Sequence, residues 1–210
     1  YTIHRKLGYL SLNSPLLQNQ VLAVSYRYIY KGKIYQVGEL SIDNPVIANT
    51  PSLLYTKLLQ NEIIDTKLPT WDLMMKNIYR LQSSNIEKQN FDLQIYYSDP
   101  TTGLESPILY EGHNSKNKTW LEIVHLDRLT QNNAYTADGI FDWLPGITID
   151  DQKGRLIFPQ IAPFGKDLAT NFTKEEDQLI EKYSFYELYQ LTQSDVIQKY
   201  TNKNRFQIRG

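Results

Sequence analysis

Alternation of apolar and polar positions dominates the first half of the chain. Residues 21–30 (VLAVSYRYIY) place Leu22, Val24, Tyr26, Tyr28 and Tyr30 on one face and Val21, Ala23, Ser25, Arg27 and Ile29 on the other, the period of a β-strand. Lys31-Gly32 separates this run from residues 33–42 (KIYQVGELSI). A glycine at the second position of a two-residue turn supplies positive φ, so the pattern predicts a β-hairpin. A linker with Asn44-Pro45 and Thr50-Pro51 follows, then an apolar patch at 53–59, read as a short helix or strand. In residues 68–81 (LPTWDLMMKNIYRL) the period changes. Trp71, Met74, Met75, Ile78 and Leu81 recur at three- and four-residue spacing with Thr70 available as an N-cap, which predicts a helix.

Alternation returns at 91–98, closed by a turn at Asp99-Pro100 and Gly103. It returns again at 119–126 (TWLEIVHL), read as a strand whose buried side the mixed pattern leaves open. Towards the C-terminus, Thr173-Lys174-Glu175-Glu176 and Ser184-Phe185-Tyr186-Glu187 fit the capping box, so two or three short helices are expected there. Residues 205–210 read as the start of a strand whose partner lies beyond this segment. The fold expected is mainly β (α+β): a β-sandwich-like core with an inserted helix and short C-terminal helices. The organisation expected is a β-rich core over residues 1–170 with a helical insertion around 69–82, a C-terminal helical segment over 171–204, and a following strand from 205.

Composition narrows the function. The 210 residues carry no cysteine, which excludes disulfides, thiolate metal sites and thiol nucleophiles. A net charge of −1, with the basic residues of 199–205 diluted by Tyr, Thr and Asn, argues against nucleic acid as a partner. No run approaches the ~20 apolar residues of a spanning helix. The three histidines, His4, His113 and His125, are dispersed, and nucleophile-elbow and phosphate-loop motifs are absent, so no catalytic residue is assigned and an enzyme is not expected.

Residues 127–142 (DRLTQNNAYTADGIFD) form the loop richest in candidate chemistry. Asp138 and Asp142 are hard oxygen donors suited to Ca²⁺, although the spacing is not that of an EF-hand and Asp-Gly is a routine turn pair. As a long loop on a β scaffold, the slightly longer stretch 127–145 is also the candidate contact surface, with Asn132, Asn133, Tyr135 and Trp143 on its rim. Glu122 with Asp138 is the one carboxylate pair a glycosidase reading could use. Tyrosine is abundant, at 16 residues. The stripe Tyr26, Tyr28 and Tyr30 reads as β propensity on a half-buried face, with sugar or peptide stacking as the alternative.

Four segments, residues 35–41 (YQVGELS), 71–79 (WDLMMKNIY), 138–142 (DGIFD) and 154–165 (GRLIFPQIAPFG), resemble the SprA (Sov) family, the outer-membrane translocon of the type IX secretion and gliding-motility system of Bacteroidetes. The likeness extends from about Gly8 to Arg209. Leu40 stands where the family pattern has Phe, and Ala162 where it has an acidic residue. The resemblance implies a non-catalytic, soluble structural or cap domain of a wide β-barrel that exports folded proteins. It would contact the rest of the barrel, other secretion-system subunits or passing cargo, without itself spanning the membrane and without a cofactor. It implies the outer membrane, as an extracellular cap rather than a periplasmic one. The alternative is a carbohydrate-binding β-sandwich module at the cell surface.

Overall fold

The computed structural model describes residues 1–17, 19–44, 53–130 and 132–210. The chain is mainly β with a few short helices, an α+β fold of several small antiparallel sheets. It divides into two compact units. One is residues 1–2 with 10–74, the other residues 3–9 with 75–210.

Strands β1 (Thr2–His4) and β2 (Tyr9–Ser11) flank a tight turn, in which the Gly8 amide donates to the His4 carbonyl at 2.8 Å. In the first unit, β3 (Leu22–Val24) pairs antiparallel with β6 (Lys57–Gln60), and β4 (Tyr26–Tyr30) pairs with β5 (Lys33–Val37). The expected hairpin therefore forms, with Lys31 and Gly32 both at positive φ as a primed two-residue turn requires. Its strands are shorter than the pattern suggests. The run over 21–30 breaks at Ser25, and β5 stops at Val37 because Gly38 turns at φ +70. A Cβ at Gly38 would lie 2.8 Å from the Tyr55 carbonyl, and the Glu39 amide donates to that same carbonyl at 2.6 Å. The linker prolines fall in residues 45–52, outside the described residues.

The helix expected over 68–81 is replaced by a single 3₁₀ turn, Pro69–Leu73. Thr70 does not cap it. Leu68 holds the N-cap position without a side-chain bond, and Met74 is already extended at ψ 128. Tertiary pairing overrides the helical spacing beyond that point. In the second unit, β7 (Ile78–Arg80) joins β12 (Ile149–Asp150) and β13 (Arg155–Ile157) in the order β12-β13-β7. Asn77, buried, secures the junction: its Nδ2 donates to the Phe158 carbonyl at 2.7 Å, and the Phe158 amide donates back to the Asn77 carbonyl at 2.9 Å.

A second three-stranded sheet runs β14-β8-β9, with β8 (Gln94–Ser98), β9 (Glu105–Ser106) and β14 (Phe206–Arg209). The C-terminal strand therefore finds its partner within the chain, Ile208 opposite Ile95, which corrects the expectation of a partner beyond it. Short strands β10 (Ile108–Leu109) and β11 (Lys118–Thr119) lead into α1 (Trp120–Ile123). The strand expected over 119–126 is thus a capped helical turn. Thr119 Oγ1 accepts the Glu122 amide at 3.1 Å, and the turn ends in a Schellman motif. There the Leu126 amide reaches the Leu121 carbonyl (2.8 Å) and the His125 amide the Glu122 carbonyl (3.1 Å), with His125 at φ +63 in the position glycine usually takes. Its apolar residues all point into the core, which is why neither period is legible.

Both three-stranded sheets of this unit feed one core. Leu93, Ile95 and Tyr97 pack with Ile149, Leu156 and Phe158, closed by Trp120, Leu121, Phe164, Leu168 and Tyr183. The rings of Tyr97, Trp120, Tyr183 and Phe206 interlock at centroid distances of 4.8 to 5.6 Å. The C-terminal helices are α2 (Lys166–Ala169), α3 (Asp177–Tyr183), α4 (Glu187–Gln190) and α5 (Gln193–Lys199). Half of the first capping box forms: Glu176 accepts the Thr173 amide at 2.7 Å, and also the His113 amide at 2.6 Å, while α3 begins one residue later. The second signature caps nothing. Tyr186 precedes α4 in helical geometry, and the hydroxyl of Ser184 is buried. The cap in use is Thr192, whose Oγ1 accepts the Asp195 amide at 3.2 Å.

Candidate functional site

The loop that follows α1 is held by two aspartates. Asp127 is 1% exposed, and its two carboxylate oxygens accept the amides of Asp138 (2.9 Å) and Gly139 (2.8 Å). Asp142 Oδ2 accepts the amides of Arg128 (2.7 Å) and Leu129 (3.2 Å). Each acid ties down the backbone beside the other, so an excursion of more than ten residues is pinned at its neck. Burial pushes the Asp127 carboxyl above the usual carboxylate range, even though the two amides it holds pull the other way. Thr148 completes the brace, its hydroxyl donating to the Asp142 carbonyl while it accepts the Leu144 amide at 3.0 Å. Beyond the neck, the Thr130 amide bonds to Ala134 and the Asn133 amide to Thr130, with Asn133 at φ +60.

Two open cavities border this loop. The larger, about 590 Å³, is lined by Lys118, Glu122, His125, Arg128, Tyr135 and Asn171 among others. The smaller, about 380 Å³, is lined by Lys88, Phe91, Asn133, Asp138, Asp142 and Trp143 among others. Desolvation, reinforced by the Arg128 guanidinium, pushes the His125 imidazole below its ordinary pKa and favours its neutral form.

The residues expected on the rim are therefore distributed. Asn132 is exposed, Tyr135 is 93% exposed at the edge of the larger cavity, and Asn133 borders the smaller. Trp143 is half-buried. Its ring stands edge-on to Phe91 at 4.8 Å, so it is a wall rather than an open platform. Asp138 and Asp142 both line the smaller cavity. Asp138 Oδ1 accepts the Ile140 amide at 3.1 Å, Asp142 Oδ2 accepts the amides of Arg128 and Leu129, and no group of three potential ligands gathers among the described residues. Glu122 lines the larger cavity and Asp138 the smaller. Sequence reasoning missed Asp127 as the keystone and His125 and Arg128 as cavity residues. The Asp-Gly turn was legible, but its acceptor lies eleven residues upstream.

The tyrosine stripe departs from the half-buried expectation. Tyr26, Tyr28 and Tyr30 are 46%, 46% and 57% exposed, and Tyr28 stacks on its cross-strand partner Tyr35 at 5.2 Å. No helix among the described residues is long and apolar enough to cross a membrane. No family model and no curated protein matches the chain.

Proposed function

We propose that the chain is a non-catalytic structural or cap domain of a SprA-like type IX secretion translocon at the outer membrane. The observation that carries this reading is the pairing of two of the segments on which the resemblance rests. Residues 77–79 lie against 156–158 in one sheet, Tyr79 opposite Leu156 and Ile78 opposite Ile157, with Asn77 clamping Phe158. A third segment, 138–142, supplies both amides that Asp127 holds and the carboxylate that holds Arg128 and Leu129. The resembling residues therefore build sheet and loop neck, as a domain whose work is shape requires, and none of them forms a nucleophile–base pair. Guiding a cargo or closing a path is a matter of packing and surface. The contacts proposed for subunits or cargo are the exposed loop residues Asn132, Asn133 and Tyr135, with no metal or other cofactor involved.

The test replaces this segment in the polypeptide that carries it with a Gly/Ser linker and measures barrel insertion and cargo secretion together. Insertion retained with secretion stopped or leaking supports the reading. Unchanged secretion and permeability would sink it.

A second reading, a carbohydrate-binding module, is favoured by one observation, the exposed Tyr28–Tyr35 stack. It expects saturable glycan binding that Tyr28→Ala abolishes and Trp143→Ala, which alters a wall of Phe91, does not.

A further inference from the structure

We infer that the hairpin of β4 and β5 is a lipid-surface probe whose tip seats in the headgroup layer of an anionic phospholipid membrane. This stands apart from the translocon reading, since it concerns what the chain itself binds.

The ribbon is exposed on both faces. On one, Tyr28 stacks on Tyr35 and Tyr30 lies opposite Lys33. On the other, Ile29 and Ile34 are direct cross-strand partners at 73% and 67% exposure, high values for two isoleucines in contact register. Among the described residues the sheet has only these two strands, so no third strand there pairs with either edge. A flat protein partner covers one face of a ribbon and leaves the other wet. A medium that surrounds the tip covers both.

Charge selects the medium. Between Tyr26 and Val37 there is no Asp or Glu, while Arg27, Lys31 and Lys33 are present in a chain of net charge −1. Arg27 is engaged by Gln36 and Asp43, so the free charge sits at the tip, on Lys31 and Lys33. Lys31 Nζ lies 5.3 Å from the Tyr30 ring centroid, keeping the cation beside an aromatic of the kind that settles at headgroup depth. The edges of the ribbon set the limit of entry, because unpaired backbone amides and carbonyls do not enter hydrocarbon. Insertion by about 5–10 Å, the usual depth of interfacial elements, is two to three residues at ~3.4 Å each. With Lys31, Lys33 and Tyr30 among the headgroups, that depth takes Ile29 and Ile34 into the same layer and leaves Tyr28 and Tyr35 at its outer edge.

The experiment is co-sedimentation of the whole chain with vesicles of phosphatidylcholine mixed with phosphatidylglycerol, compared with pure phosphatidylcholine. Binding is expected to the mixed vesicles and to weaken with salt. Neutralising both lysines (Lys31→Gln, Lys33→Gln) is expected to weaken it about 25-fold, at about fivefold per basic residue. Ile29→Ser with Ile34→Ser is expected to weaken it at least about tenfold, from the apolar area withdrawn. Near-UV circular dichroism should be unchanged in both variants, because the hairpin tip is outside the core. Absence of binding, equal binding to pure phosphatidylcholine, or indifference to the isoleucine variant each overturns the inference. So does self-association without vesicles that the isoleucine variant abolishes, which would give this surface to a second copy. Displacement from the vesicles by a soluble oligosaccharide would give it to sugars. The linker replacement tests the translocon reading by secretion, so the two fail separately.

Discussion

Asp127 and Asp142 cross-brace one loop: Asp127 holds the amides of Asp138 and Gly139, just before Asp142, and Asp142 holds those of Arg128 and Leu129, just after Asp127. The arrangement fixes the neck with four charge-assisted bonds, which are stronger than neutral ones, and leaves the far end of the loop to its own turn at Thr130 and Ala134. A rigid neck under an exposed rim is suited to presenting contact residues.

Removing one brace measures its worth. Asp127→Ala leaves the amides of Asp138 and Gly139 without their acceptor in a partly buried place, at about 1–3 kcal/mol for each amide that water does not rescue. Asp127→Asn keeps shape and one acceptor oxygen, so it is expected to cost less than the alanine. Urea unfolding of both variants checks the order, and the reverse order would show that the carboxylate is not the tie.

Two glycines of positive φ are expected to respond unequally to alanine. At Gly154, φ +59, an added Cβ would sit 1.6 Å from the Ser83 carbonyl oxygen, a backbone atom that cannot step aside. Gly154→Ala is expected to cost about 4 kcal/mol or more, in the tail where overpacking and backbone strain combine. At Gly139, φ +83, the same Cβ meets nothing within 4 Å, so only the left-handed backbone opposes it, at about 1–2 kcal/mol. Thermal denaturation of the two variants side by side decides whether space or dihedral governs. Equal losses would contradict the clash.

Legibility followed the reach of the signal. The Lys31-Gly32 hairpin was readable because its determinant is two residues long. The helix expected at 68–81 was misread because Ile78, Tyr79 and Arg80 are claimed by β13, some seventy-five residues onward, and no local spacing records that pairing. The partner of β14 was missed for the same reason, since β8 lies about 110 residues earlier. The turn at 119–126 failed differently. Four helical residues are too few to show a 3.6 period, and with Trp120, Leu121 and Ile123 buried only Glu122 is left to mark a polar side. Its cap was nonetheless present in the letters, Thr119 followed three residues later by Glu122. At the site, the turn at Asp138-Gly139 was legible and its distant acceptor was not.

That helical turn yields its own test. Thr119→Ala removes the cap on the Glu122 amide and is expected to cost about 1 kcal/mol. His125→Gly relieves a non-glycine residue at φ +63 and is expected to be neutral or stabilising by up to about 1 kcal/mol. A loss in Thr119→Ala with no loss in His125→Gly is the expected result in chemical unfolding. Marked destabilisation by His125→Gly would mean that the imidazole contributes more than its backbone strain costs.

The cluster around Lys182 shapes stability against pH. Its Nζ lies 3.3 Å from Asp99 and 3.0 Å from Glu111, which also accepts the Tyr183 hydroxyl at 3.1 Å. The amides of Thr102 and Thr101, ahead of Lys182, hold Asp99 down to about 2. Partial burial opposes the Lys182 charge, but its bonds to Glu111, Tyr183 and Asp99 win and raise it above the ordinary lysine value. Burial lifts Tyr183 to about 12. The signs follow. The depressed carboxyl contributes above its ordinary 3.8, and that contribution is lost as pH falls towards 2. The raised lysine and tyrosine contribute below their ordinary values near 10 and lose that contribution as pH rises through and beyond about 12. The melting temperature is therefore expected to be flat from about pH 4 to 10 as far as this cluster governs it, and to fall on both sides. Because the amides rather than the lysine dominate Asp99, Lys182→Met should weaken the alkaline limb and leave most of the acid limb, whereas Asp99→Asn should reduce the acid limb. An acid limb that vanishes in Lys182→Met would assign the Asp99 shift to the ion pair instead of the turn.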